Sequence, residues 1–215
     1  MANETAKGKR EGQVRIAPKP TMVIPNPHFE YPLALEEKTD FFTPSDKLFV
    51  LAHLGIPEVE KRDWRLDIAG LVTSPQTLRF EDLQQFSRVS VKAIHQCAGS
   101  PLDPTTPTRT IANLDWSGVL LRDVLKQAGI LETCNFIWAF GLDYGSFELP
   151  SYSSPYQEHY LKDLPIDYVM KEDVIIATHM NGKPLSSKHG YPARVVAPGF
   201  YGNNSVKWLC RLEAA

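Results

Sequence analysis

Apolar and polar residues alternate with period two in several short stretches, and that alternation dominates the first half of the chain. Trp64–Gly70 reads as a half-buried strand, Thr77–Phe80 as a short strand entering a short helix over 81–86, and Ser90–Gln96 as a further strand. The last of these delivers Cys97 into the turn Ala98-Gly99-Ser100-Pro101. Lys47–His53 is a short apolar run stopped by Gly55 and Pro57. Ser117 as N-cap, apolar Leu121, Val124, Leu125 and Ala128 at helical spacing, and a closing Gly129 predict a helix over 118–129. Phe136–Phe140, Ser146–Leu149 and Ser205–Leu212 read as strands. So do Asp173–Thr178 and Ala193–Ala197, which are expected to join through the turn pair Asn181-Gly182 and to close a hairpin there. Many strands and few helices give the expected fold class: α+β, mostly β, with a mixed sheet.

Residues 1–40 break this pattern. Pro18, Pro20, Pro25, Pro27 and Pro32 interrupt any ladder, and the first twenty residues carry five basic and two acidic side chains. The expectation is a Pro-rich arm over 1–40, its later part docked through Phe29, Tyr31, Phe41 and Phe42, followed by one domain over 41–215.

Composition narrows the function classes. The chain has 215 residues, 43% hydrophobic and 22% charged, and a net charge of −2 from 23 basic and 25 acidic residues. That balance argues against a nucleic-acid-binding domain. The longest apolar runs, such as Val174–Ala177, fall far short of the roughly 18 residues of a membrane span. With no apolar leader, the expectation is a soluble protein, cytoplasmic as the sequence stands and periplasmic if a signal has been removed. Three widely spaced cysteines, Cys97, Cys134 and Cys210, make neither a disulfide framework nor a CxxC clamp.

Two places carry candidate chemistry. Cys97 sits at a strand end before small residues, where a side chain projects while a bulky ligand approaches; the bland alternative is a buried core cysteine, which is the reading preferred for Cys134 and Cys210. His95 and Cys97 share a strand face as a half-site for zinc, without a second pair to complete it. Late in the chain, His189, Arg194 and Lys207 are donors for anionic oxygens, and the loop Gly199–Asn204 leads into Ser205-Val206-Lys207. Together these suggest a large phosphorylated ligand lying across several loops. No P-loop or GxGxxG is present.

Six stretches in order resemble the molybdenum-cofactor domain of sulfite oxidases and assimilatory nitrate reductases: His95–Gly99, Trp116–Leu125, Gly141–Asp143, Met180–Gly182, His189–Gly199 and Ser205–Leu209. The resemblance covers roughly residues 45–215. It implies a mixed-sheet α+β domain around molybdenum–molybdopterin, with Cys97 as the only protein ligand to the metal and two-electron oxygen-atom transfer as the chemistry. It further implies pterin or phosphate contacts from Phe49, His53, Asp143, His189, Arg194, Ser205, Val206 and Lys207. The departures bear on substrate. The usual Arg-Asn pair before His53 reads Leu51-Ala52, and the usual Asn-Arg-Arg after the cysteine motif reads Ser100-Pro101-Leu102, leaving Arg109 as the only basic residue before Trp116. The tyrosine near the metal aligns near Ile166, with Tyr168 two residues on. A pocket so altered binds sulfite poorly, which points to another small oxyanion or a sulfoxide-type substrate, with a cytochrome or similar electron carrier as redox partner. The Ig-like dimerisation domain of sulfite oxidases has no counterpart, so a monomer is expected, or else the chain is a fragment. Two rivals are a non-catalytic cofactor-binding domain of this fold and a thiol enzyme with Cys97 as nucleophile and His95 or His189 as base.

Overall fold

The structure is a computed structural model that describes residues 21–24, 27–31, 37, 40–100, 110–149 and 152–215. Arg109, Pro101, Leu102 and most of the expected arm, including Pro18, Pro20, Pro25 and Pro32, lie outside the described residues. Before the main body come β1 (Met22–Ile24), β2 (His28–Glu30), β3 (Val50–Ala52) and β4 (Ile56–Pro57). The body follows as β5 (Arg65–Gly70), β6 (Gln76–Arg79), β7 (Arg88–Gln96), β8 (Ile111–Leu120), α1 (Leu121–Ala128) and β9 (Phe136–Gly145). Then come β10 (Glu148–Leu149), β11 (Tyr152–Ser153), β12 (Glu158–Pro165), α2 (Ile166–Lys171), β13 (Ile175–Met180), β14 (Lys183–Pro184), β15 (Arg194–Val196) and β16 (Leu209–Ala214).

Two larger sheets organise these strands. One has the order β12-β9-β16-β5-β6, with β16 parallel to β5 and otherwise antiparallel; the other runs β14-β13-β8-β7, with β15 also on β13. The fold is therefore α+β and mostly β, with one mixed sheet, as the pattern predicted. Period two explains how the second sheet is buried on both faces. Along β13 and the residue before it, Val174 and Ile176 enter the main core with α1, α2 and the first sheet, while Ile175 and Ala177 enter a second core with Leu114, Trp116 and Phe49. This second core forms the floor of the site described below.

Four local expectations are corrected. Ser117 does not cap a helix: it lies in β8, opposite Ser90, and α1 begins only at Leu121 with Leu120 as a cap that makes no side-chain bond. The strand persists because Gly118 lets β13 approach so closely that a Cβ there would stand 2.0 Å from the Ile176 carbonyl oxygen. Gly129 closes α1 in the left-handed conformation, φ 70°, as expected. Asn181-Gly182, both at positive φ, turn β13 into β14, whereas Ala193–Ala197 reaches β13 separately as β15. The last strand starts at Leu209 instead of Ser205, because Trp208 at φ 49° breaks the extended run before it. Unforeseen among the longer elements were β8, β12 and α2. Among the aromatic residues expected to dock the arm, Phe29 meets His53 edge-on at 5.3 Å, while Phe41 is 76% exposed and Tyr31 51%.

Candidate functional site

Strand β7 positions the first groups. Ala93 and His95 are buried on its inner face, and the ladder continues past its end because the Cys97 N–H donates to the Thr110 carbonyl at 2.9 Å. Cys97 is thereby kept on the same face as His95, as its spacing required. The turn is then tied: Ser100 N–H donates to the Cys97 carbonyl at 3.2 Å, the Gln96 amide to the Ser100 carbonyl at 2.8 Å, and the Gly99 N–H to Cys97 Sγ at 3.4 Å. Cys97 is half-buried and lines a cleft. Cys134 and Cys210 are buried, their thiols donate to the carbonyls of Phe136 and Phe140, and burial pushes the Cys210 thiol up to about 12. They are core residues.

The opposite wall is the segment around β3. Phe49 stacks on the His95 ring at 5.9 Å, and Trp116 meets that ring edge-on at 5.7 Å. Leu48, Leu51 and Ala52 add apolar surface, and His53 lies between the rings of Phe29 and Phe147, the latter at 4.7 Å. Burial, and then the charge of Lys207, lowers the His53 pKa, and its Nδ1 is buried with no partner.

The third wall holds two cations, Arg194 buried and Lys207 half-buried. Arg194, on β15, is 3% exposed; its guanidinium donates to the carbonyls of Ser205 at 2.7 Å and His189 at 3.1 Å and lies 5.0 Å over the Trp116 ring. Lys207 Nζ donates to the Leu51 carbonyl at 2.9 Å and lies 4.3 Å from the Trp208 ring. The break at Trp208 aims Lys207 inward while the Trp208 indole donates to the Ser187 carbonyl at 2.7 Å. Among the described residues neither cation pairs with a carboxylate. Desolvation accordingly lowers Arg194 to about 9 and Lys207 to about 7, and the same burial with these two charges lowers His189 to about 3. Ser205 Oγ accepts the Ala197 N–H at 3.1 Å.

Asp143, on β9, completes the enclosure. It is 4% exposed, its Oδ1 has no partner, and burial raises it to about 7 against the lowering effect of Lys207. Tyr160, on β12, donates to the Asn203 carbonyl at 2.9 Å, and burial, then the charges of Asp143 and Cys97, raises its pKa further above its usual value.

Eight residues expected from sequence line this one cleft: Phe49, His53, Cys97, Asp143, His189, Arg194, Ser205 and Lys207. It holds about 680 Å³ of empty space, its opening included. Val206 stands apart, since its side chain is 1% exposed in the main core and its carbonyl accepts the Val195 N–H. Neither Ile166 nor Tyr168 lines the cleft: both sit on α2 against the main core, and the tyrosine that reaches the cleft is Tyr160. Tyr160 was missed because β12 was missed: the strand carries a register shift between His159 and Leu161 and shows no clean alternation of buried and exposed positions. His95 also lines the cleft, but among the described residues no three His, Cys, Asp or Glu side chains converge to complete a zinc site. Nor, among the described residues, does His53, His95 or His189 hydrogen-bond Cys97 Sγ, which accepts the Gly99 N–H.

Over residues 53–215 the chain matches the family described as oxidoreductase molybdopterin binding domain. The chain belongs to that family. This molybdopterin-binding domain is 32% identical over 189 residues to mitochondrial sulfite oxidase of Homo sapiens, covering 81% of this chain and 33% of that protein. It is 30% identical over 195 residues to nitrate reductase [NADH] 1 of Phaseolus vulgaris, covering 85% of this chain and 22% of that protein. The crystal structure of the sulfane dehydrogenase SoxCD from Paracoccus pantotrophus superposes with a TM-score of 0.73 at 29% identity, over 100% of this chain and 56% of that one. The domain thus spans about a third or less of the curated relatives' length. Its cofactor is molybdenum–molybdopterin. The cleft fits that group on physical grounds: a buried arginine and a half-buried lysine, neither in a salt bridge, suit an anionic ligand, the orphaned Asp143 Oδ1 and His53 Nδ1 suit a polar heterocycle, and a single thiol suits a metal that brings its other ligands with it. No helix among the described residues is long and apolar enough to cross a membrane.

Proposed function

We propose that this domain holds molybdenum–molybdopterin in the cleft with Cys97 as its metal ligand and acts in two-electron oxygen-atom transfer on a small substrate other than sulfite, an uncharged sulfoxide-type oxide. When bound, the cofactor supplies the oxygen-transfer chemistry. Arg194 and Lys207 anchor the phosphate, each already oriented by backbone carbonyls so that binding adds a countercharge without reorganising the site. His189 and Ser205 complete this anchor beside them. His53 and Asp143 hold the pterin: the imidazole is kept neutral by burial, and Asp143, protonated below about 7, has a proton to donate. Phe49 and the apolar pair Leu51-Ala52 exclude water. Tyr160 keeps its proton on the hydroxyl at every working pH and faces the same space. An external electron carrier, such as a cytochrome, closes the cycle.

The observation that carries the reading is the pair of cations, Arg194 buried and Lys207 half-buried, that face the cleft of Cys97 without a salt bridge. The test is molybdenum content by elemental mass spectrometry after expression in a host with an intact cofactor pathway. About one molybdenum per chain is expected, with Cys97→Ser folded but inactive toward dimethyl sulfoxide. A folded protein without molybdenum would overturn the reading in favour of a non-catalytic relative. Iodoacetamide separates the thiol-enzyme rival, because a metal-bound thiolate resists alkylation, whereas an activated nucleophile reacts.

A further inference from the structure

Among the polar side chains of the cleft that anchor nothing, His95 is the buried one. His95 is 9% exposed, and its ring is fixed by the stacked Phe49 and the edge of Trp116. Gly202 closes on it so tightly that a Cβ there would stand 2.8 Å from His95 Nε2. Yet among the described residues neither ring nitrogen makes a hydrogen bond. The ring is thus held in one orientation with its nitrogens open to the cleft, where a ligand can take the bond.

We propose that His95 is the substrate-orienting residue of this domain, its ring N–H donating to the oxygen of an uncharged oxide of the sulfoxide type placed beside Cys97. The assignment rests on the cleft being the oxo-transfer site proposed above. His95 and Cys97 leave the same face of β7 and its continuation with Cα atoms about 7 Å apart, two strand residues. The cleft's cations are already committed: Arg194 to the carbonyls of His189 and Ser205, Lys207 to that of Leu51. Around the ring lie Phe49, Trp116 and Gly202, and Arg194, Lys207 and His189 act on it electrostatically from the same cleft. With those cations turned to backbone carbonyls, the donor left without a partner for a strongly polarised but neutral S=O oxygen is the imidazole. An imidazole keeps at least one N–H in either protonation state, so it can fill that role.

The experiment uses the full chain loaded with cofactor and three variants, with dimethyl sulfoxide as probe and sulfite as the charged comparison. His95→Leu is expected to raise the KM for dimethyl sulfoxide about tenfold, the weight of one lost hydrogen bond in a dry site. Molybdenum content should be unchanged, kcat should move less than KM, and sulfite kinetics should barely respond. His95→Gln, which keeps an N–H, should recover part of the loss. Gly202→Ala, which presses on the ring without altering it, should give an intermediate rise. Independently of turnover, dimethyl sulfoxide added to the oxidised holoprotein should shift the imidazole nitrogen NMR signals of His95. An unchanged KM in fully loaded His95→Leu, an equal rise for sulfite, or a loss accounted for wholly by missing molybdenum would each overturn the assignment. A wild type that takes up molybdenum and turns over dimethyl sulfoxide keeps such a failure distinct from failure of the oxo-transfer reading; a wild type that does neither overturns both.

Discussion

Asp143 and Lys207 face one another's influence in the cleft with opposite displacements, the acid raised to about 7 from 3.8 and the amine lowered to about 7 from 10.5, each by burial. A raised acid contributes stability that is full below its unfolded value and lost as pH climbs through its folded value, here between about 4 and 7. A lowered amine contributes stability present above its unfolded value and lost as pH falls through its folded one, between about 10.5 and 7. Together they put a stability minimum near neutrality in the protein without cofactor. Asp143→Asn should therefore raise the melting temperature at pH 7.5 by about 3 °C or more, and by clearly less at pH 5, which lies only partway through that window. Scanning calorimetry of the cofactor-free protein at both values checks this, and an equal effect at the two would sink it. The same two environments predict that Lys207→Ala and Arg194→Ala lower molybdenum occupancy more than the rate per bound molybdenum, since both cations serve the anchor. Unchanged occupancy in both variants would place the phosphate elsewhere.

At the scale of the element, the junction of β8 and α1 shows how packing overrules a capping signal. Ser117 followed by an apolar helical stripe reads as an N-cap, but pairing with Ser90 on β7 and His179 on β13 holds it in a strand. Propensity is a weak prior against two neighbouring strands. Ser117→Ala should thus cost less than about 0.5 kcal/mol, where loss of a true N-cap costs about 1 kcal/mol. Gly118→Ala, with its Cβ 2.0 Å from the Ile176 carbonyl oxygen, should cost more than about 2 kcal/mol by forcing β13 from β8. Urea titration of both variants decides, and the reverse order would restore the helix start at Ser117. The end of the chain teaches the same point. Ser205–Leu212 looks continuous, but the single left-handed residue Trp208 divides it into an anchor loop and a strand.

On the scale of the whole molecule, the segment before residue 41 reaches the site. Strand β2 pairs with β3, Phe29 packs on His53, and Glu30 binds Lys188 Nζ at 2.6 Å beside His189. The ion pair is partly exposed, at 32% and 43%, so by itself it stabilises the fold little. Its consequence is local: it draws β2 across the wall whose Leu51 carbonyl orients Lys207. Removing residues 1–31 should leave a cooperative fold but release the pterin several-fold faster, read from the fluorescence of the freed pterin beside a circular dichroism melt. Release at the wild-type rate would show that β2 is no part of the retention of the cofactor.

Much of this was legible in the order of residues alone. Period-two alternation located β5, β6 and β7, the Asn181-Gly182 turn was visible, and the cysteine after His95-Gln96 with the late His189, Arg194 and Lys207 marked the cleft before any coordinates. Those signals are local, or carried by residue types that have few other uses. What the sequence could not decide was long-range: that Gly118 yields to the Ile176 backbone, that Val206 turns into the core between two residues that line the cleft, that Tyr160 rather than Tyr168 reaches it, and that His95 ends among Phe49, Trp116 and Gly202. Each depends on contacts between segments far apart in the chain, and the free energy of such contacts appears only when the sheets have packed.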